Sequence, residues 1–302
     1  MLTRIDHVMI CVPDLTQGIE QYRKLGFDMH PGGEHTGKGT HNAIAFNTDD
    51  YLELLAVRDP AEYQSASVSA AGLVGSGTLP QFIAAGGGIR YVVIQSDDLA
   101  GDVAAMRGRG VDVSDATDGA RRTPDGRDLR WKVATLGAGN PLPLFFIQHL
   151  TPVEERRRQV PAHENEAGSH PNGVYKLERA YIATPDAQRD AATYAKVLGL
   201  PQPELHRGTV IKANMAVFEI GPTGLGIAQP DAPGPAAEAL ERRGPGPFQA
   251  LYRTTSMGAA ARWTAEHGLP PLARGVRSHG EHAMLATPDV ACGAYIGFVG
   301  PE

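Results

Sequence analysis

The sequence predicts an α+β protein of four βαβββ modules that pair into two half-barrels. Three observations lead there. An apolar strand, a polar helix cap and an amphipathic helix closed by glycine recur four times along the chain. Each recurrence is followed by short apolar segments separated by turn-forming residues. One such module buries a single face of its sheet, so two modules must face each other to bury both.

The first module sets the pattern. Residues 5–12 are apolar and rich in β-branched side chains, as in a strand buried on both faces. Asp14, with Gln17 three positions on, has the form of a helix capping box. Leu15, Ile19, Tyr22 and Leu25 recur at helical spacing, and Gly26 supplies the left-handed residue that closes a helix. The pattern returns at 89–96 with Asp98 and Gly110, at 177–184 with Asp186 and Gly199, and at 248–252 with Ser256 and Gly268. From cap to glycine the steps are 12, 12, 13 and 12 positions. Later strands are predicted at 42–46 and 51–57, at 131–136 and 144–150, at 215–220 and 225–228, and at 283–286 and 294–299. Gly221-Pro222-Thr223-Gly224 reads as a hairpin turn, since it follows no strand-to-helix transition and lacks the lysine and hydroxyl of a phosphate loop.

The expected organisation is a first module pair over 1–152, with modules at 3–57 and 89–150 and a partly helical excursion at 59–88 over the barrel mouth. A proline-containing polar connector at 153–173 leads to a second pair over 174–302, with modules at 176–229 and 247–300. At 302 residues, 42% hydrophobic and 21% charged, the chain has the composition of an ordinary soluble globular protein. Its 28 basic and 34 acidic residues give a net charge of -6 with no Lys/Arg stripe, which argues against nucleic acid or an anionic membrane surface as partner. Two cysteines, Cys11 and Cys292, fit a reducing compartment rather than a disulfide framework. No stretch approaches about 18 consecutive apolar residues and no charged leader precedes the first strand, so a cytoplasmic location is expected.

The residues that point to chemistry lie in the first module. His7 is on its first strand and Glu53 on its last, where both side chains can converge on the concave face of the sheet. Glu53 is the sharper signal, because Tyr51-Leu52-Glu53-Leu54-Leu55 is otherwise apolar and an unpaired buried carboxylate is costly. A metal ion would offset that cost, as would a hydrogen-bonded or ionic protein partner. There is no Gly-x-Ser-x-Gly elbow, Cys-x-x-Cys pair or His-Glu-x-x-His helix.

Asp6-His7-Val8, Pro13-Asp14-Leu15, Leu25-Gly26-Phe27, Gly39-Thr40-His41-Asn42 and Tyr51-Leu52-Glu53-Leu54 together resemble the vicinal-oxygen-chelate superfamily, in particular its glyoxalase-like branch. Phe145-Phe146-Ile147-Gln148 and His170-Pro171-Asn172-Gly173 are similar to what that branch carries, and beyond Gly173 only the repeat supports the resemblance. It implies a divalent metal (manganese, iron, nickel or zinc) held by side chains on the first and last strands of paired modules, with positions open for two neighbouring substrate oxygens. Carried over, it assigns His7 and Glu53 as metal ligands and Tyr91 and Gln148 as their counterparts in module two, a departure because neither is a strong ligand. His41, and His149 or His170, are candidates to complete the set, and each also reads as a structural histidine. Glu53 and His41 are the implied catalytic groups, with Asn42, Tyr51, Tyr91, Trp131, Gln148 and His170 lining a substrate pocket.

In the second pair Arg179 and Gln249 take the place of His7, while Ala228 or Gln229, and Gly297, take that of Glu53, so no second metal centre is expected. His279 and His282 lie three apart on a strand-like segment and point to opposite faces. The expected function is metal-dependent isomerase, lyase or ring-cleaving oxygenase chemistry on a small oxygenated molecule. The rival is a metal-free protein that sequesters a small molecule such as an antibiotic. A homodimer is compatible with a degenerate second pair.

Overall fold

The computed structural model describes residues 1–35, 37–69, 79–139, 141–158 and 170–302. Module one comprises β1 (Leu2–Cys11), α1 (Leu15–Lys24), β2 (His30–His35), β3 (Thr40–Phe46) and β4 (Tyr51–Val57). The excursion contributes α2 (Pro60–Ser69) and α3 (Leu79–Ala84). Module two follows with β5 (Gly88–Ser96), α4 (Leu99–Gly108), β6 (Thr117–Arg122), β7 (Asp128–Thr135) and β8 (Leu144–His149). A single turn of helix, α5 (Val153–Arg156), lies beyond it. Module three has β9 (Val174–Ala183), α6 (Ala187–Leu198), β10 (His206–Gly208), β11 (Ala213–Ile220) and β12 (Thr223–Pro230). After α7 (Pro235–Arg243), module four has β13 (Gly246–Thr254), α8 (Met257–Glu266), β14 (Ala273–Val276), β15 (His282–Ala286) and β16 (Tyr295–Val299).

The capping chemistry read from the sequence starts and stops each module helix. Asp14, Asp98, Asp186 and Ser256 each accept the backbone N–H three residues on, from Gln17, Gly101, Arg189 and Ala259. Gly26 and Gly199 follow at φ 87° and 70°, where a β-carbon would be strained, and Gly110 and Gly268 sit alike.

Modules one and two form a closed barrel in the order β1-β4-β3-β2-β6-β7-β8-β5, and modules three and four form an open eight-stranded sheet in the order β10-β11-β12-β9-β13-β16-β15-β14. The pairing inferred from burial is therefore what the sheets adopt. Alternate residues of each strand divide between two layers. Val8, Ile10, Leu52 and Leu54 face the helices in a core that runs on into Ala180, Ile182, Ala250 and Tyr252 of the second sheet. His7, Met9, Tyr51 and Glu53 face the concave side. One end of that concavity is closed by the excursion, where Leu79, Phe82 and Ile83 pack on Cys11 and Leu55. In the second sheet α7 lays Ala236 and Ala239 against Tyr181 and Phe248.

One of the three slips in the β1–β5 ladder falls in the middle of β1: Ile5 opposes Ile94 and His7 opposes Val93, so Asp6 is a one-residue bulge. The same slip falls at Arg90 on β5, at Glu178 on β9 and at Phe248 on β13. These are equivalent positions of the four modules, so the bulge is part of the repeat.

Among the described residues no helix is long and apolar enough to cross a membrane. The two sheets are joined by polar contacts at the β3–β4 turn. Buried Asp50 accepts the Leu177 N–H at 2.9 Å and the Asn47 side-chain amide. Burial raises the Asp50 carboxyl from 3.8 to about 7 against the lowering effect of these bonds. The folded chain therefore favours the protonated acid. The penalty sets in as pH rises past 3.8 and is complete above about 7. Calorimetric melting points should fall across this window in the native chain and fall less in Asp50→Asn. Equal slopes would remove Asp50 as the titrating group.

Candidate functional site

The bulge at Asp6 is what builds the site. In a regular strand Asp6 and His7 would face opposite sides of the sheet. The extra residue turns the Asp6 carboxylate back toward its neighbour, so that Oδ2 lies 2.8 Å from His7 Nδ1. His7 Nε2 in turn lies 3.2 Å from Glu53 Oε2, brought alongside by the parallel β1–β4 ladder. Asn42, two strands over on β3, donates from Nδ2 to Glu53 Oε1 at 2.6 Å. With the amide so oriented, Asn42 Oδ1 is buried without a protein partner. It lies where a β-carbon on Gly32 would stand 2.1 Å away, so only glycine fits there.

A neutral imidazole carries one N–H, and here two carboxylates each face a ring nitrogen. His7 is therefore an imidazolium. Burial opposes that charge, but the hydrogen bonds to Asp6 and Glu53 raise its pKa to about 9. Asp6 is held well below the ordinary aspartate range: burial works against ionisation, and the attraction of His149 and His7 outweighs it. Glu53 is lowered in the same way, burial being overcome chiefly by the bond to His7. The His7 ring is stacked on Tyr51 with centroids 4.3 Å apart and meets the edge of Phe145 at 6.2 Å.

His7, Glu53, Asn42, Tyr51 and Phe145 line a cavity of about 90 Å³ inside the closed barrel, with Asp6 behind His7. Trp131, Phe145 and Ile147 give it an apolar wall, and Arg121, Arg130 and Arg156 line it as well. Arg121 is 5% exposed, donates to the Gly32 carbonyl and is kept below the usual guanidinium pKa by burial. His149 Nε2 lies 3.1 Å from both Asp6 oxygens and 3.3 Å from Arg156 Nη1. Its hydrogen goes to the carboxylate, so Arg156 contributes charge there and no hydrogen bond. His35 Nε2 approaches Glu53 Oε1 at 3.9 Å, and burial lowers the His35 pKa to about 4, leaving it neutral.

Of the residues expected at the site, His7, Glu53, Asn42, Tyr51 and Trp131 come together around this cavity. Four others do not. His41 alternates with Asn42 along β3 and points to the opposite face, near Arg58, Glu34 and Asp14. His170 lies at the junction of the sheets, where Nδ1 accepts the Asp28 N–H and Nε2 donates to Asn47 Oδ1. Gln148 caps α4, accepting the Leu99 N–H and donating to the Asp97 carbonyl. Tyr91 packs edge-on against Phe145, 5.6 Å away, and the cavity wall does not include it.

The register also corrects two equivalences. Met9 pairs with Glu53, and its counterparts Val93 and Tyr181 pair with Phe145 and Gly226. Phe145, not Gln148, thus takes the place of Glu53 in module two, and Gly226, not Ala228 or Gln229, does so in module three. Sequence reasoning passed over Asp6, His35, Arg121 and Arg156. Asp6 alone left a signal, as an acid next to a strand histidine.

A divalent metal fits this donor set poorly. His7 spends both nitrogens on carboxylates, and the positions that the repeat offers for further ligands hold Tyr91 and Phe145. Three guanidinium groups line the same space. Among the described residues no three His, Cys, Asp or Glu side chains meet in a set able to hold an ion.

The family model described as glyoxalase-like domain matches residues 5–198, and the chain belongs to that family. No curated protein matches it. Among solved structures, a hypothetical protein from Staphylococcus aureus superposes with a TM-score of 0.67 at 12% identity, covering 98% of this chain and 99% of that one. A mutant 4-hydroxymandelate synthase from Streptomyces coelicolor gives 0.62 at 11% identity over 100% and 94%. A fusion of a xylose isomerase-like TIM barrel with 4-hydroxyphenylpyruvate dioxygenase gives 0.59 at 10% identity, covering 99% of this chain and 49% of that chain. At these identities the likeness is one of fold.

His7, raised from 6.5 to about 9, contributes stability that is fully present below pH 6.5 and is lost as pH rises through 9. Urea unfolding should show His7→Gln less stable than the native chain by about 3–5 kcal/mol near pH 6, because two buried carboxylates lose their partner. The gap should narrow toward pH 10, and a constant gap would refute the imidazolium.

Proposed function

We propose that the first barrel is a metal-independent active site that moves a proton next to a carbonyl on a small organic acid. The observation that supports it most is the buried chain Asp6–His7–Glu53, which presents an imidazolium and a carboxylate 3.2 Å apart on one cavity wall. Glu53, ionised at neutral pH, takes a proton from the carbon next to the carbonyl. The electrons of that C–H bond form a carbon–carbon double bond while the carbonyl π pair moves onto oxygen, which takes the Nε2 proton of His7. Asp6 holds the ring and its charge in place, as the third member of such a chain does. Return of a proton to carbon makes the reaction an isomerisation, and loss of a leaving group makes it a lyase reaction. Arg121, Arg130 and Arg156 suit a carboxylate on the substrate. The apolar wall excludes water and strengthens each of these interactions.

One observation favours a second reading. Glu53 has both oxygens engaged and a lowered pKa, which weakens it as a base. In that reading the cavity sequesters a small organic acid and does not turn it over.

Deuterium exchange separates the two. Incubated in deuterated buffer with pyruvate, 2-oxobutyrate or acetoacetate, the protein should speed loss of the C–H proton signal, and Glu53→Gln should slow it at least ~100-fold. Binding without exchange leaves the sequestering reading, and neither binding nor exchange removes both.

Metal independence has its own check. Exchange should survive chelator, and elemental analysis of protein purified without chelator should find well under one divalent ion per chain. Stoichiometric manganese, iron, nickel or zinc, stripped by both His7→Ala and Glu53→Ala, would overturn this part of the reading.

A further inference from the structure

We infer that the second sheet has a binding site of its own, for a small organic acid, at the seam where that sheet does not close. The edge strands β10 and β14 are not paired with each other. The Thr209 hydroxyl, donating to the Val276 carbonyl at 2.5 Å, links their ends. A cavity of about 160 Å³ opens beside this link, larger than the one in the first barrel.

Arg179, which lines this cavity, and Glu178, the residue before, occupy the repeat positions of His7 and Asp6. Glu178 sits on the bulge equivalent to Asp6 and turns its carboxylate to Arg277 at 2.7 Å and to Arg253 at 2.6 Å. Glu281 holds the same two arginines at 2.6 and 2.9 Å, so these four charges cancel. Arg179 stands where His7 stands in module one. The position that would carry its carboxylate partner is Gly226, so the strand offers no counter-charge. Its ion pair runs to Glu219, 3.2 Å away and 67% exposed, where solvent screens the attraction. Arg179 itself is 15% exposed, and its Nε is buried without a protein partner.

Arg179, whose ion-pair partner is screened by solvent, supplies the charge that draws a carboxylate into the cavity, and Arg277, held rigid by two glutamates, fixes the shape of the wall beside it. The rest of the lining selects the body of the ligand. Tyr181, Ile211 and Met215 form an apolar stretch of the wall, which rewards a short carbon skeleton that inorganic phosphate lacks, while Thr209, Ser278 and His279 line the rest.

Two methionines allow the cavities to be followed separately, since Met9 lines the first and Met215 the second. With isotope-labelled methionine methyls assigned by substitution, isobutyrate should shift the Met215 signal saturably. The neutral isostere isobutyramide and inorganic phosphate should not. Arg179→Gln should weaken the isobutyrate response at least tenfold. Val210→Trp, which fills the cavity from its loop and leaves the arginine in place, should abolish it, so the outcome does not hang on one variant folding. The site is refuted if only Met9 responds, if the amide or phosphate shifts Met215 equally, or if neither variant changes the response.

Discussion

An imidazolium inside a sheet needs negative charge on both sides, and the first barrel is arranged around meeting that demand. Removing three ionised groups from water costs several kcal/mol each unless every lone pair and proton is engaged. Here the engagement is complete along one line: His149 to Asp6, Asp6 to His7, His7 to Glu53, Asn42 to Glu53. Backbone features make the line possible. The Asp6 bulge supplies an orientation that a regular strand denies, and Gly32 makes room for the Asn42 amide. What remains is a wall with fixed charges facing an apolar one.

The two halves share a backbone and diverge in side chains. Asp6, Arg90, Glu178 and Phe248 occupy one repeated bulge and do four different things. Asp6 and Glu178 organise histidine and arginine, respectively. Arg90 stacks its guanidinium over Phe82 and Tyr91, and Phe248 joins the apolar filling of the second concavity. Closure follows the same division. The first sheet joins edge to edge around its charged line, whereas the second stays open and has α7 laid on its inner face, held by the hydrogen bond from Tyr295 to Glu238.

Much of the fold could be read from the chain because its signals are local. A cap residue and a closing glycine report on one turn of helix, and four nearly equal spacings between them report a repeat. Pairing of modules followed from burial alone. The site was legible only where a residue broke its local pattern, as Glu53 does in an apolar strand. His41 misled because alternation along β3 is settled by its neighbours' register, which the sequence leaves open. Arg121 and Arg156 are ordinary arginines until the barrel closes and brings β6 and α5 over the cavity. Gln148 and Phe145 differ by three positions, a slip that parallel pairing decides and composition does not.

The repeated bulge has a consequence for how such a chain diversifies. Its kink is written in the main chain and survives any exchange of the side chain it carries. At Asp6–His7 and Glu178–Arg179, where the residue after the kink lines a cavity, exchange of that pair alters what the concavity attracts while the main-chain kink stays.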